Sequence, residues 1–219
     1  PAIRGLSIAC VIDPTLAVGG DFYDFIELPE GKTGVCIADV AGKGIPAALL
    51  MASIRSALRA FAPEAASPSA ALKLLNKHTY HDTPAGEFAT VTYAILAPDG
   101  RGFAYSSAGH LPPILLRGEQ FVELSAGGLA IGVAPEESYE DELVALKPGD
   151  TIVMVTDGVT EAMSFHGDAF GKERLLSSLW KHRKLDATAL AAQILWDVRR
   201  FVGLAEQSDD ITIVVLRAE

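Results

Sequence analysis

Strand-length apolar runs in this chain follow one another through tight turns, and the helical stretches come in pairs between them. No other feature of the sequence constrains the fold as much. Residues 3–12 read as a strand broken by Pro14, and residues 21–28 as a second strand. Pro29-Glu30-Gly31-Lys32 turns the chain into a short strand over 34–38 that runs into Asp39. Pro46 opens a helix at a position where its missing N–H costs nothing, and Leu50, Ile54, Leu58 and Phe61 fall on one face of it. Ser67 caps a second helix with Pro68 in its first turn and Leu72 and Leu75 on its apolar side, ending before Pro84. Strands over 88–96 and 102–107 flank the turn Pro98-Asp99-Gly100. The stretch 108–113 is a loop or bulge, and strands over 114–116 and 121–124 flank Gly118-Glu119. Pro148-Gly149-Asp150 precedes a strand over 151–156. Helices follow near 172–180 and 188–202, the latter stopping at Gly203, and a β-branched strand over 211–216 closes the chain. This is not the βαβα alternation of a doubly wound fold. It predicts an α+β fold in which antiparallel sheets stack with helices outside, burying the continuous apolar runs.

A chain of 219 residues suffices for one domain with a sizeable core, and a single domain over 1–219 is expected, with no repeat or linker. Hydrophobic residues at 49% and charged ones at 21% exclude a disordered chain. The formal net charge of -10 argues against non-specific nucleic-acid binding, which needs a basic surface. No apolar stretch is long enough to cross a membrane, and no signal-peptide pattern opens the chain. Cys10 and Cys36 lie inside apolar runs and read as buried thiols of a reducing cytoplasm. The chain opens at Pro1 without a methionine, which reads as a domain cut from a longer regulatory protein.

Four segments place aspartate at the edge of a strand-like run: Gly19-Gly20-Asp21-Phe22-Tyr23-Asp24, Ala38-Asp39-Val40-Ala41-Gly42, Thr156-Asp157-Gly158 and Ser208-Asp209-Asp210-Ile211-Thr212. Carboxylates that converge at one sheet edge repel unless a hard cation sits among them. No Cys or His stands beside any of the four, and oxygen-only donors suit magnesium, manganese or calcium rather than zinc. Each acid also has a plain reading. Asp24 is a ligand, a support of the ligands or a solvated strand residue; Asp157-Gly158 alone is an ordinary turn; Asp209 and Asp210 suit an Asx turn before a strand. Their joint pattern and matching contexts lift Asp21, Asp39, Asp157 and Asp209 above those readings, toward a two-metal phosphohydrolase.

The segments Val18-Gly19-Gly20-Asp21-Phe22-Tyr23-Asp24, 39–49 (Asp39-Val40-Ala41-Gly42-Lys43-Gly44 onward), Ala108-Gly109-His110, 155–161 (Val155-Thr156-Asp157-Gly158 onward) and Asp209-Asp210-Ile211-Thr212 occur in an order that resembles the bacterial stage II sporulation protein E type of metal-dependent protein phosphatase. The resemblance implies an αββα four-layer sandwich of two mainly antiparallel sheets flanked by helices, and hydrolysis of phosphoserine or phosphothreonine on a protein. It implies two Mn2+ or Mg2+ ions held by Asp21, Asp39, the Val40 carbonyl, Asp157 and Asp209, with Asp39 bridging. Asp24, Asp210 and His110 are carried over as support around the ligands, and the doubled acid leaves the register of Asp209 against Asp210 open. The expected partners are a phosphorylated anti-sigma-factor antagonist, an upstream sensory domain and a second copy in a homodimer, in the cytoplasm. Neither nucleic acid nor membrane is expected. The rival reading is a catalytically degenerate phosphatase fold kept as a protein-binding signal relay.

Two departures stand out. Lys43 occupies a position where many members carry His or Asn, and is read as regulatory. No arginine adjoins the first motif to hold substrate phosphate, Arg4 being the nearest in sequence. His110 is read first as a structural hydrogen-bonder in a turn and second as a general acid for the leaving oxygen. The helix over 46–61 starts beside Asp39 and Val40, and is read either as a control element or as a cover for the sheet.

Overall fold

The computed structural model describes residues 2–83 and 86–219. Pro1 and Pro84, on which the expected chain start and the expected end of the second helix rest, lie outside them. Among the described residues two sheets stack face to face. The first runs in the order β1 (Leu6–Asp13), β11 (Ile211–Ala218), β10 (Thr151–Val155), β6 (Ile114–Arg117) and β7 (Gln120–Glu123), with every neighbouring pair antiparallel. The second runs β2 (Phe22–Glu27), β3 (Thr33–Val40), β4 (Ala89–Leu96) and β5 (Gly102–Ala108). The outer edge of β5 is shared by β9 (Glu142–Ala145), antiparallel, and by the two-residue β8 (Gly127–Gly128), parallel. Helices α1 (Ile45–Phe61) and α2 (Pro68–Asp82) cover the second sheet, and α4 (Gly171–His182) and α5 (Ala187–Val202) cover the first. The expected αββα layering is therefore found. Among the described residues, no helix is long and apolar enough to cross a membrane.

Side chains alternate between the two faces of a strand, and in the central strands β3, β10 and β11 both faces are dry. Val35 and Ile37 of β3, Ile152 and Met154 of β10, and Val214 and Leu216 of β11 meet in the core between the sheets. Cys36, Ala38 and Val40 turn outward to Ile54 and Leu58 of α1 and Leu72 and Leu75 of α2. Val153, Val155, Ile213 and Val215 meet Leu190, Ile194 and Val198 of α5. Burying each such Leu or Ile stabilises the fold by about 1.5–3 kcal/mol. Cys36 is fully buried and Cys10 is half-buried, and both are free thiols.

Local signals set most boundaries. The Ser67 hydroxyl accepts the Ala70 N–H at 3.3 Å to cap α2, as expected. Asp186 caps α5 by accepting the Ala189 N–H at 2.8 Å, so that helix starts at Ala187, just ahead of the expected position. The first strand starts at Leu6 rather than residue 3, because Gly5 turns the backbone at φ 75° and Ile3 bridges back to Leu6. Asp157-Gly158, which taken alone reads as an ordinary turn, opens α3 (Asp157–Thr160), a single helical turn.

Candidate metal centre

The period-2 alternation carries the site. Asp21 continues the face of β2 that bears Tyr23 and Phe25, and Asp39 continues the face of β3 that bears Val35 and Ile37. Both acids therefore lie at one end of the gap between the sheets. From the opposite sheet, Thr156 and Thr212 continue the inner faces of β10 and β11. Their hydroxyls both donate to Asp21 Oδ2, at 2.7 and 2.8 Å. Thr156 Oγ1 in turn accepts the Thr212 N–H at 2.9 Å. Asp21 is buried and fixed by three strands at once. Asp157 opens α3 directly after β10, and Asp209 precedes β11, so both arrive at the same end from the first sheet.

The electrostatics follow from this crowding. Burial raises the Asp21 carboxyl to about 8; the two threonine bonds oppose the rise, and the Asp39 and Asp210 charges add to it. Burial likewise lifts Asp39 to about 6, with Asp157 adding to the rise, a hydrogen bond with Asp21 opposing it, and Asp209 and Asp210 adding further. Asp157 is raised by burial and then by the Glu161 and Asp209 charges, while its bond to Gly158 and the charge of Lys43 act the other way. Three acids held this way favour bound protons or bound cations over bare charge.

Asp209 and Asp210, ambiguous in the sequence, do different things. Asp210 is buried, with Oδ1 accepting the Thr15 N–H at 2.7 Å and Oδ2 accepting the Gly20 N–H at 2.9 Å. It ties the segment that carries Asp21 to the start of β11. This needs glycine at position 19, where a Cβ would stand 2.1 Å from Asp210 Oδ2. Asp209 accepts the Asp210 N–H at 2.9 Å through Oδ1 and keeps Oδ2 toward Lys43 at 2.9 Å. The Val40 carbonyl faces Gly20, whose missing Cβ would otherwise stand 2.8 Å from it.

Other expected residues lie elsewhere. Asp24 is three positions from Asp21 and so falls on the other face of β2, under α1, outside the acid cluster. It is buried rather than solvated, and it accepts from Arg59 at 2.5 and 2.6 Å and from Arg55 at 3.1 Å. Arg4 is at the far end of the sandwich, its carbonyl against Gly100 in the β4–β5 turn, and is excluded as a phosphate holder. His110 is buried behind the site. Its Nδ1 lies 2.8 Å from the hydroxyl of Thr90, the residue paired with Asp39 across β3 and β4, and its N–H donates to Ser107 Oγ at 3.2 Å. Burial pushes the imidazole down to about 4, the Val155 backbone offsetting part of this, so it is neutral at pH 7. That state suits a hydrogen-bonding partner of Thr90 better than a proton donor.

The Asp24 clamp makes a direct prediction. Burial works to raise its carboxyl, but hydrogen bonds and charge from Arg59 and Arg55 outweigh it and hold the group below its ordinary value. A depressed acid stabilises the fold fully above its unfolded value, and that contribution is lost as pH falls through the folded one. Asp24→Asn is expected to lower stability by about 1.5–3 kcal/mol at pH 7. Denaturant unfolding of variant and wild type should converge below pH 4, the unfolded range of an aspartate. A difference that persists at low pH would assign the loss to packing.

Donor chemistry provides the test of fit for a metal. The cluster is oxygen-only, burial and then neighbouring charge raise the carboxyls of Asp21, Asp39 and Asp157, and a backbone carbonyl lies at its edge, all of which match a hard divalent cation. Among the described residues, no three His, Cys, Asp or Glu side chains stand as a ready ligand set. In this arrangement Asp39 is hydrogen-bonded to Asp21 and Asp209 is turned to Lys43.

A sandwich of this topology with acids at one edge defines the class of metal-dependent phosphatase folds. The chain belongs to the stage II sporulation protein E (SpoIIE) family, whose model matches residues 29–219. That match begins after Asp21, so the place of Asp21 in the site rests on the geometry above. The phosphoserine phosphatase RsbU of Bacillus subtilis (strain 168) is 32% identical over 219 residues, covering 99% of this chain and 64% of its own length. This chain thus spans under two thirds of that relative. The SiaA-PP2C domain of Pseudomonas aeruginosa superposes with a TM-score of 0.86 at 27% identity, over 97% of this chain and 86% of that one. The catalytic domain of the serine/threonine phosphatase PstP, solved with two manganese ions, shares the fold with a TM-score of 0.72 at 17% identity, over 97% of each chain.

Proposed function

We propose that this chain is a protein serine/threonine phosphatase domain that hydrolyses phosphoserine or phosphothreonine on a regulatory protein. The observation that carries this is the convergence of Asp21, Asp39, Asp157 and Asp209 from two sheets onto one edge, where burial and neighbouring charge raise the carboxyls of Asp21, Asp39 and Asp157. In this reading Asp21, Asp39, the Val40 carbonyl, Asp157 and Asp209 hold two Mn2+ or Mg2+ ions. Such ions lower the pKa of water and stabilise the attacking and leaving oxygens of an in-line displacement, so no nucleophilic side chain is needed. The protein's part is positional. Thr156 and Thr212 hold Asp21, Asp210 holds the segment leading into it, and the Asp21 carboxyl, raised to about 8, carries a proton at pH 7 when no cation is present. Helix α1 follows the end of β3, which bears Asp39 and Val40, through the loop 41–44, so its position sets ligand geometry. The family resemblance makes an anti-sigma-factor antagonist the substrate type, and the relatives RsbU and RsbP are both phosphoserine phosphatases. An upstream sensory domain, a cytoplasmic setting and a homodimer complete the reading.

The degenerate alternative is disfavoured because all four acids are retained. One experiment separates the readings: turnover of a phosphopeptide and of a small aryl phosphate, each with and without manganese. Hydrolysis of the phosphopeptide that stops on chelation and returns with Mn2+, at least as well as with Mg2+, is expected. Full activity after thorough chelation would end the two-metal reading, and no activity on either substrate would favour the signal relay.

A further inference from the structure

Lys43 is unlike the other basic residues near this end of the fold. Its ammonium donates to the Ser208 carbonyl and lies 2.9 Å from Asp209 Oδ2. Among the described residues, no other lysine or arginine is paired with Asp21, Asp39, Asp157, Asp209 or Asp210. Lys43 leaves the second sheet just beyond β3, whereas Ser208 and Asp209 enter the first sheet at β11, so the contact spans the cleft. The loop is shaped to deliver it. Gly42 and Gly44, on either side, have φ of 98° and 74°, a conformation that L side chains rarely adopt, and a Cβ on either would meet nothing within 4 Å. The glycines are thus explained by backbone shape rather than by crowding. Gly44 is also the residue before α1.

We infer that Lys43 is a tethered cation that ties the start of α1 to Asp209 across the cleft and competes with a divalent ion for that carboxylate. It acts through Asp209, as a positioning residue that sets how tightly the cluster takes metal. This rests on the metal reading proposed above. A cation on Asp209 and a cation on Lys43 repel each other. By linkage, whatever the metal does to the tie, the tie does to the metal in equal measure.

The test compares the intact chain with Lys43→Met and Lys43→Arg. Manganese binding is followed by calorimetry and by the electron spin resonance of free Mn2+, and amide exchange of residues 203–209 is measured in chelator. Lys43→Met is expected to bind manganese about tenfold more tightly at one site, a typical size for such coupling. Its 203–209 segment should exchange faster without metal, and Lys43→Arg should stay near wild type in both. Superimposed or weaker binding by Lys43→Met would overturn the inference while leaving the metal reading intact. So would a change confined to the KM for phosphopeptide, which would assign Lys43 to substrate phosphate instead. No manganese bound by any of the three proteins would remove the metal reading, and the inference with it.

Discussion

Asp39→Asn is expected to lower turnover by at least about a hundredfold, the loss that follows even from removing groups behind metal ligands, while the chain stays folded. Asp39 stands between Asp21, to which it is hydrogen-bonded, and the charges of Asp157, Asp209 and Asp210. An amide keeps the shape and part of the hydrogen bonding but brings no charge for a bridging position. The stability of the metal-free protein should move the other way. The Asp39 carboxyl is raised from 3.8 to about 6. Across that window the folded chain keeps a proton that the unfolded chain gives up, so stability falls as pH rises through it. Asparagine has no such slope. Thermal unfolding in chelator should therefore show the variant gaining on wild type between pH 4 and pH 7, with the same ranking at pH 7. Near wild-type turnover with metal present would place Asp39 outside the site.

Gly158→Ala should have the second large effect, and its cause is steric. A Cβ at position 158 would stand 1.9 Å from the Asp210 carbonyl oxygen and 2.8 Å from its carbon. These are backbone atoms at the start of β11, not the far end of a flexible side chain. Relief requires α3 and β11 to separate, which moves Asp157 and Asp209 apart and strains the Asp210 bonds to Thr15 and Gly20. Over-packing a tight site costs about 1–3 kcal/mol and occasionally more, and the upper end applies to a clash with backbone. Denaturant midpoint and turnover should drop together, and addition of manganese should recover only part of either. An unchanged midpoint would show that the α3–β11 contact is loose and that the glycine is not required there.

Much of this was legible in the residues, for physical reasons. The runs ending at Asp39 and Asp157 are apolar on both faces because their strands are central and covered on both sides, and such runs announce themselves. Ser67-Pro68 and Gly203 mark helix ends through local hydrogen bonding and backbone freedom, which need no tertiary partner. The elements that escaped are those whose existence depends on a neighbour. Gly127-Gly128 has no side chains to form a pattern and becomes a strand only against Ser107 and Ala108. Residues 142–145 are mostly exposed and pair only because β5 offers an edge. The single turn at Asp157–Thr160 is too short to show a period. Asp186, by contrast, was a readable cap.

Residue type and the twofold alternation are local properties, so the available oxygens and their place at strand ends are legible from the chain alone. The sequence left open which partners Asp209 and Asp210 take, which side of β2 Asp24 takes, and which acid Lys43 meets. Those were decided only when the two sheets stacked. Asp21 receives hydroxyls from Thr156 and Thr212, residues 135 and 191 positions away along the chain. Asp210 is consumed by the backbone of Thr15 and Gly20, and Lys43 reaches Asp209 from a loop 165 or more residues earlier. A hydrogen bond or an ion pair exists only at a distance of a few ångströms, and no spacing along the chain specifies that distance until the fold brings both partners to one edge.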